Sequence, residues 1–107
     1  MIALYLLASL IAGEAGTCDL EGRLAVAHVV RNRAEAGIVG GWYGWAIPSE
    51  LDLAVAELSP KTADPTHGAL FLFSDADLHT QPVKDIIAKR TLTRRFSCAN
   101  GYLWAFR

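Results

Sequence analysis

Residues 10–33, LIAGEAGTCDLEGRLAVAHVVRNR, set a lone acid, Glu14, at the seam between an apolar run and a second stretch of mixed character. Upstream, residues 2–13 are apolar on all sides, which at this length predicts a helix packed centrally rather than on the surface. Gly13 and Gly16 then loosen the chain. Thr17 and Asp19 are both credible N-caps for a second helix that runs to about Ala36 and closes at Gly37. Stepping about 100° per residue from Leu24, Val26, Val29, Val30 and Ala34 share one face, while His28, Arg31 and Glu35 gather opposite. Arg33 breaks this pattern. It falls within the apolar face, where a guanidinium needs a carboxylate or several carbonyls. Asn32 stands at the boundary between the faces. Glu21 projects with the polar set, in a first turn where the helix dipole favours an acid.

Further along, GIVGGWYGWAIPSE (residues 37–50) is too irregular for an element and reads as a surface loop. Its aromatics, Trp42, Tyr43 and Trp45, either cap the core or line a groove in which flat faces stack on sugar rings. Ser49 to Asp52 opens a third helix with Leu51, Ala54, Val55 and Leu58 at helical spacing, ended by Pro60. After the turn-rich KTADPTHGA, the run ALFLF (residues 69–73) reads as a strand. A short helix follows from Pro82 to Lys89. TLTRRF and YLWAF then flank Asn100 and Gly101, a pair that favours a hairpin turn. The expected fold is α+β: a single domain over residues 1–107, mainly helical, with a small C-terminal antiparallel sheet.

The chain has 107 residues, a formal charge of -1 and 52% hydrophobic residues, enough apolar material for one core. Balanced charge supplies no global field for nucleic acid, and the local cluster Lys89, Arg90, Arg94 and Arg95 reads as a solvated face. The N-terminal run lacks a basic n-region and a clear cleavage site, and it is too short for the ~20 apolar residues of a span. Stable membrane insertion is therefore not expected. Cys18 and Cys98 match no metal-ligand spacing. They form either a disulfide, in an oxidising compartment, or two independent thiols.

Glu14 sits where the dipole at the end of a central helix and an apolar setting both favour the protonated acid. Glycosidic cleavage needs such a group, because the leaving oxygen must take a proton as the bond breaks. A structural role, such as pairing with Arg33, is the alternative.

The stretch from residue 8 to residue 74 resembles the cell wall hydrolases that include the spore cortex-lytic enzymes. The likeness is carried in order by Gly13-Glu14-Ala15, Glu21-Gly22, Ala25-Val26-Ala27 and Asn32-Arg33, then by Asp64-Pro65-Thr66, Gly68-Ala69 and LFLF. Two departures stand out. Relatives usually carry Arg-Gly-Glu-Pro just after the first acid, where this chain has Gly16, Thr17, Cys18 and Asp19, and His67 stands where glycine is common.

The resemblance implies a lysozyme-like fold that acts on peptidoglycan glycan strands, with Glu14 as catalytic acid and no cofactor or metal. It points to lytic transglycosylase chemistry at the bond between N-acetylmuramic acid and N-acetylglucosamine, at the cell wall or in the periplasm. A bacterial wall-remodelling enzyme and a phage-encoded lysis protein both fit. Trp42, Tyr43 and Trp45, with the turn of Asp64, Thr66 and His67, are the expected glycan contacts. Asn32 and Arg33 would organise the interior behind the acid. Simple hydrolysis would need a second carboxylate, for which Asp19, Glu21 and Asp64 are candidates. The competing function is a non-catalytic peptidoglycan-binding module on the same fold.

Overall fold

The structure is a computed structural model that describes residues 3–38, 40–42 and 44–107. Among the described residues it contains four α-helices followed, after the third, by a three-stranded antiparallel sheet. Helix α1 (Leu4–Ala15) buries Leu7, Ala8, Ser9, Leu10, Ile11 and Ala15, whereas Leu4, Tyr5 and Leu6 remain exposed. The all-round burial expected of this segment thus holds only for its later turns. Gly13 does not end the helix, so Glu14 lies inside the last turn.

Of the two possible caps, Asp19 starts α2 (Leu20–Glu35), its carboxylate accepting the Gly22 N–H at 2.9 Å. Gly37 leaves the helix at φ 75°, a conformation glycine tolerates without steric cost. The polar face expected for α2 is corrected in part. His28 is buried at 8% exposure with its Nε2 2.9 Å from Thr62 Oγ1, whereas Ala34 is exposed. The cause is tertiary: α2 is packed by α1 and α3 and also touches the sheet, so residues 25–30 are buried all round. Helix α3 (Glu50–Leu58) starts with a capping box in which Ser49 and Asp52 satisfy each other's backbone N–H groups. It passes into a 3-10 turn, Ser59–Lys61, that contains Pro60. Asp52 is also ion-paired with Arg23, which ties α3 to α2.

The sheet has the order β1-β3-β2, with β1 at Phe71–Ser74, β2 at Leu92–Cys98 and β3 at Gly101–Phe106. Strand β1 starts two residues later than expected, because Ala69 completes the preceding turn through its N–H to Thr66 Oγ1 at 3.2 Å. The β2–β3 hairpin forms as the Asn100-Gly101 pair predicts, and Cys98 faces Gly101 in register. Between β1 and β2 lie a 3-10 turn, Asp77–His79, and α4 (Gln81–Ile87).

The core joins Leu7, Ile11, Val26, Val29 and Val55 of the helices to Phe96, Leu103 and Ala105 of the sheet. Each large apolar side chain so buried contributes roughly 1.5–3 kcal/mol. Cys18 and Cys98 are joined in a disulfide across 80 residues, which fastens the α1–α2 turn to the hairpin. No helix among the described residues is long and apolar enough to cross a membrane.

Candidate active site

The site is built where the end of α1 meets the aromatic loop and the hairpin. Glu14 is half-buried, and its Oε1 accepts the backbone N–H of Gly44 at 2.8 Å. The loop comes this close because neither Gly13 nor Gly44 has a side chain. A Cβ on Gly13 would stand 2.1 Å from the Gly44 carbonyl carbon, and one on Gly44 would stand 2.6 Å from that of Gly13. Glu14 lines an open pocket of about 290 Å³ whose other lining groups include Thr17, the Cys18–Cys98 bridge, Asp75, Asn100 and Tyr102. In place of the apolar enclosure expected around Glu14 there is an open hollow lined by both polar and apolar groups.

Asp75 escaped the sequence reading. It immediately follows β1, and its carboxylate accepts the Trp104 indole N–H at 2.6 Å and the Tyr102 backbone N–H at 3.2 Å. Its neighbours come from β3, more than twenty-five residues further along, so no local pattern reveals them. The available signal was an acid directly at a strand exit.

The candidate second acids are placed elsewhere. Asp19 caps α2, Glu21 is ion-paired with Arg94, and both line a separate hollow with Arg95 and Ser97. Asp64 sits at the centre of the turn before β1. Its carboxylate accepts from the Thr66 N–H (2.8 Å), the Thr66 hydroxyl (2.6 Å), the Gly68 N–H (3.0 Å) and the Asn32 amide (2.9 Å). Burial opposes the charge on Asp64, but these hydrogen bonds outweigh it and hold the carboxyl below its ordinary pKa. Thr66 is fully buried, and His67 is exposed at φ 55°. Asn32 also donates to the Ala69 carbonyl at 3.0 Å, which joins α2 to the turn. Burial lowers the pKa of His28, against the attraction of Asp64 and with the repulsion of Arg31.

Arg33, buried within α2, takes carbonyls of the two kinds of partner expected for it. It donates to Leu70 O at 3.0 Å and Gly40 O at 2.8 Å, and its guanidinium stacks over Trp42 and Phe71 at 5.5 and 5.2 Å. It thus holds both the aromatic loop and the entry to β1. Trp42 is half-buried against the core and Trp45 is 58% exposed. Together they line an apolar hollow of about 500 Å³ with Leu6, Leu10 and Val30, distinct from the Glu14 pocket. Tyr43 lies outside the described residues.

No protein-family model and no curated protein matches the chain. Solved structures do. The catalytic domain of the germination-specific lytic transglycosylase SleB from Bacillus anthracis aligns with a TM-score of 0.73 at 17% identity, over 95% of this chain and 92% of that one. The catalytic domain of the Bacillus cereus SleB protein aligns at 0.67, again at 17% identity, over 95% of this chain and 88% of that one. The fold is therefore that of the SleB catalytic domains, the lysozyme-like α+β arrangement that the sequence resemblance implied.

Proposed function

We infer that this chain cleaves peptidoglycan as a lytic transglycosylase, with Glu14 as its acid. The observation that carries this reading is the carboxyl of Glu14, held by the Gly44 N–H at the wall of an open pocket, on a fold shared with the catalytic domain of a lytic transglycosylase.

Glu14 protonates the glycosidic oxygen between N-acetylmuramic acid and N-acetylglucosamine as that bond breaks. Its carboxylate then accepts the proton of the muramic 6-hydroxyl while that oxygen closes on the anomeric carbon. One carboxyl serves both steps, and the product is a 1,6-anhydromuramic end. General acid–base catalysis supplies typically 10²–10⁴-fold, so distortion of the bound glycan and electrostatic stabilisation must supply the remainder. The Gly44 contact fixes where the acid sits. Arg33 and Asn32 act behind it: Arg33 anchors Gly40 in the same loop, and Asn32 anchors the Asp64 turn. The exposed ring of Trp45, with Trp42 and Tyr43, is assigned to glycan further along the strand, and His67 to the rim of its own turn. The substrate places the site of action at the cell wall, and the Cys18–Cys98 bridge suits an oxidising compartment.

Digestion of purified peptidoglycan, with mass spectrometry of the soluble fragments, tests the reaction class. Anhydromuramic ends are expected. Reducing ends would replace the transglycosylase with a hydrolase that needs a second carboxylate, and no fragments from folded protein would leave a glycan-binding module.

A further inference from the structure

Asp75 is held more firmly than a surface acid at a strand end. Its Oδ1 accepts the Trp104 indole N–H and its Oδ2 the Tyr102 N–H, at 2.6 and 3.2 Å. The Trp104 ring is in turn fixed edge-on by Tyr102, with centroids 5.9 Å apart, and covered by the Arg95 guanidinium at 5.6 Å. Gly101 makes room for the carboxylate, since a Cβ there would stand 2.1 Å from Oδ2. Three residues of β3 thus position one carboxylate on the wall of the pocket that contains Glu14. The two N–H donors use two of roughly four acceptor sites on a carboxylate. The residue is half-buried and lines the pocket, which leaves it open to a ligand there.

The character of the pocket narrows what those sites take. An ionised carboxylate only accepts hydrogen bonds. Among the described residues the lining includes Glu14 and Asp75 but no Lys, Arg or His, so it disfavours an anionic group and suits a neutral ligand rich in donors. An N-acetylated amino sugar, with hydroxyls and an acetamido N–H, is such a ligand.

We propose that Asp75 is a substrate-binding residue that accepts a hydrogen bond from a hydroxyl or acetamido N–H of the sugar seated beside Glu14. The proposal rests on the glycan-cleaving reading and adds to it a polar contact from the turn that follows β1. Asp75 takes no part in the proton transfers of Glu14. It sets where the ring lies.

The test separates binding from cleavage. Calorimetric titration with a neutral N-acetylglucosamine oligomer is made on the Glu14→Gln protein, alone and combined with Asp75→Ala, Asp75→Asn or Trp104→Phe. A lost hydrogen bond to a charged group predicts binding weakened about 10-fold or more by the Ala change. A smaller loss is expected for Asn, which keeps the shape, and for Phe, which releases Oδ1. In proteins that retain Glu14, Asp75→Asn should raise KM while kcat stays within a few-fold. Circular dichroism identifies any variant that fails to fold, in which case the Asn and Phe variants decide. Unchanged oligomer binding in those two, or no oligomer binding by the Glu14→Gln protein, overturns the proposal. So does a fall in kcat at constant KM. Asp75-dependent binding by a protein that cleaves no peptidoglycan supports the proposal and overturns only the cleavage reading.

Discussion

Gly44 donates its backbone N–H to Glu14 Oε1 at 2.8 Å, from thirty residues further along the chain, through a crossing at which Gly13 and Gly44 lie backbone against backbone. The close approach depends on two missing side chains. A methyl group at residue 13 would meet the Gly44 carbonyl carbon at 2.1 Å, so the loop must shift and carry its N–H away from the acid. Gly13→Ala should therefore cost roughly 1–3 kcal/mol of stability by overpacking. It should also lower kcat on the order of 100-fold, the penalty of displacing a catalytic group by about 1 Å. Thermal unfolding and turnover measured on the same preparation check both.

Arg33 fastens two segments that converge on the site, donating to Gly40 O in the loop and Leu70 O before β1. Arg33→Met keeps much of the apolar stem but leaves both carbonyls without this donor, at about 1–3 kcal/mol for each that stays buried. A loss of roughly 2–4 kcal/mol in urea unfolding is expected. The exposed Lys84→Ala serves as the control, with a change within about 0.5 kcal/mol.

Acid should destabilise the fold through two groups. Asp64 has its pKa lowered from 3.8, so its contribution is full above that value and is lost as pH falls through the folded-state pKa. His28 has its pKa lowered from 6.5, so the unfolded chain takes up that proton first and stability declines once pH drops below 6.5. Asp64→Asn should flatten the decline below about pH 4. The same change removes the attraction that favours charged His28, so it extends the His28 window downward. Unfolding curves from pH 7 to pH 3 in wild type and variant measure both effects.

The disulfide closes a loop of 80 residues and lines the Glu14 pocket. Loss of such a bridge typically costs 2–5 kcal/mol. Cys18→Ser with Cys98→Ser should lower the unfolding midpoint accordingly. It should also reduce cleavage below that midpoint, because the hairpin tip carrying Asn100 and Tyr102 then keeps only backbone hydrogen bonds to the α1–α2 turn, such as Ala99 N–H to Thr17 O at 2.8 Å.

Local chemistry made much of this architecture legible. Asp19, Ser49 and Gly37 are capping signals, Asn100-Gly101 is a turn signal, and each stands where its own backbone geometry requires it. The helical-wheel reading of α2 failed at His28 because it assumed one solvent face, whereas packing by α1, α3 and the sheet covers the helix on several sides. Glu14 could be singled out because an acid at an apolar seam is conspicuous. Its partner Gly44 and its neighbour Asp75 could not, since both arrive through long-range packing. Trp42 and Trp45 drew attention as aromatics, yet the loop reaches Glu14 through the backbone between them.

Whether the carboxyl of Glu14 transfers the proton in glycan cleavage is decided by Glu14→Gln. The amide preserves shape and an oxygen able to accept the Gly44 N–H, while removing the transferable proton. Wild type should yield anhydromuramic fragments and Glu14→Gln none, with matching unfolding midpoints and oligomer affinities. Fragments released by the folded Gln variant at a rate near that of wild type would contradict that role for Glu14.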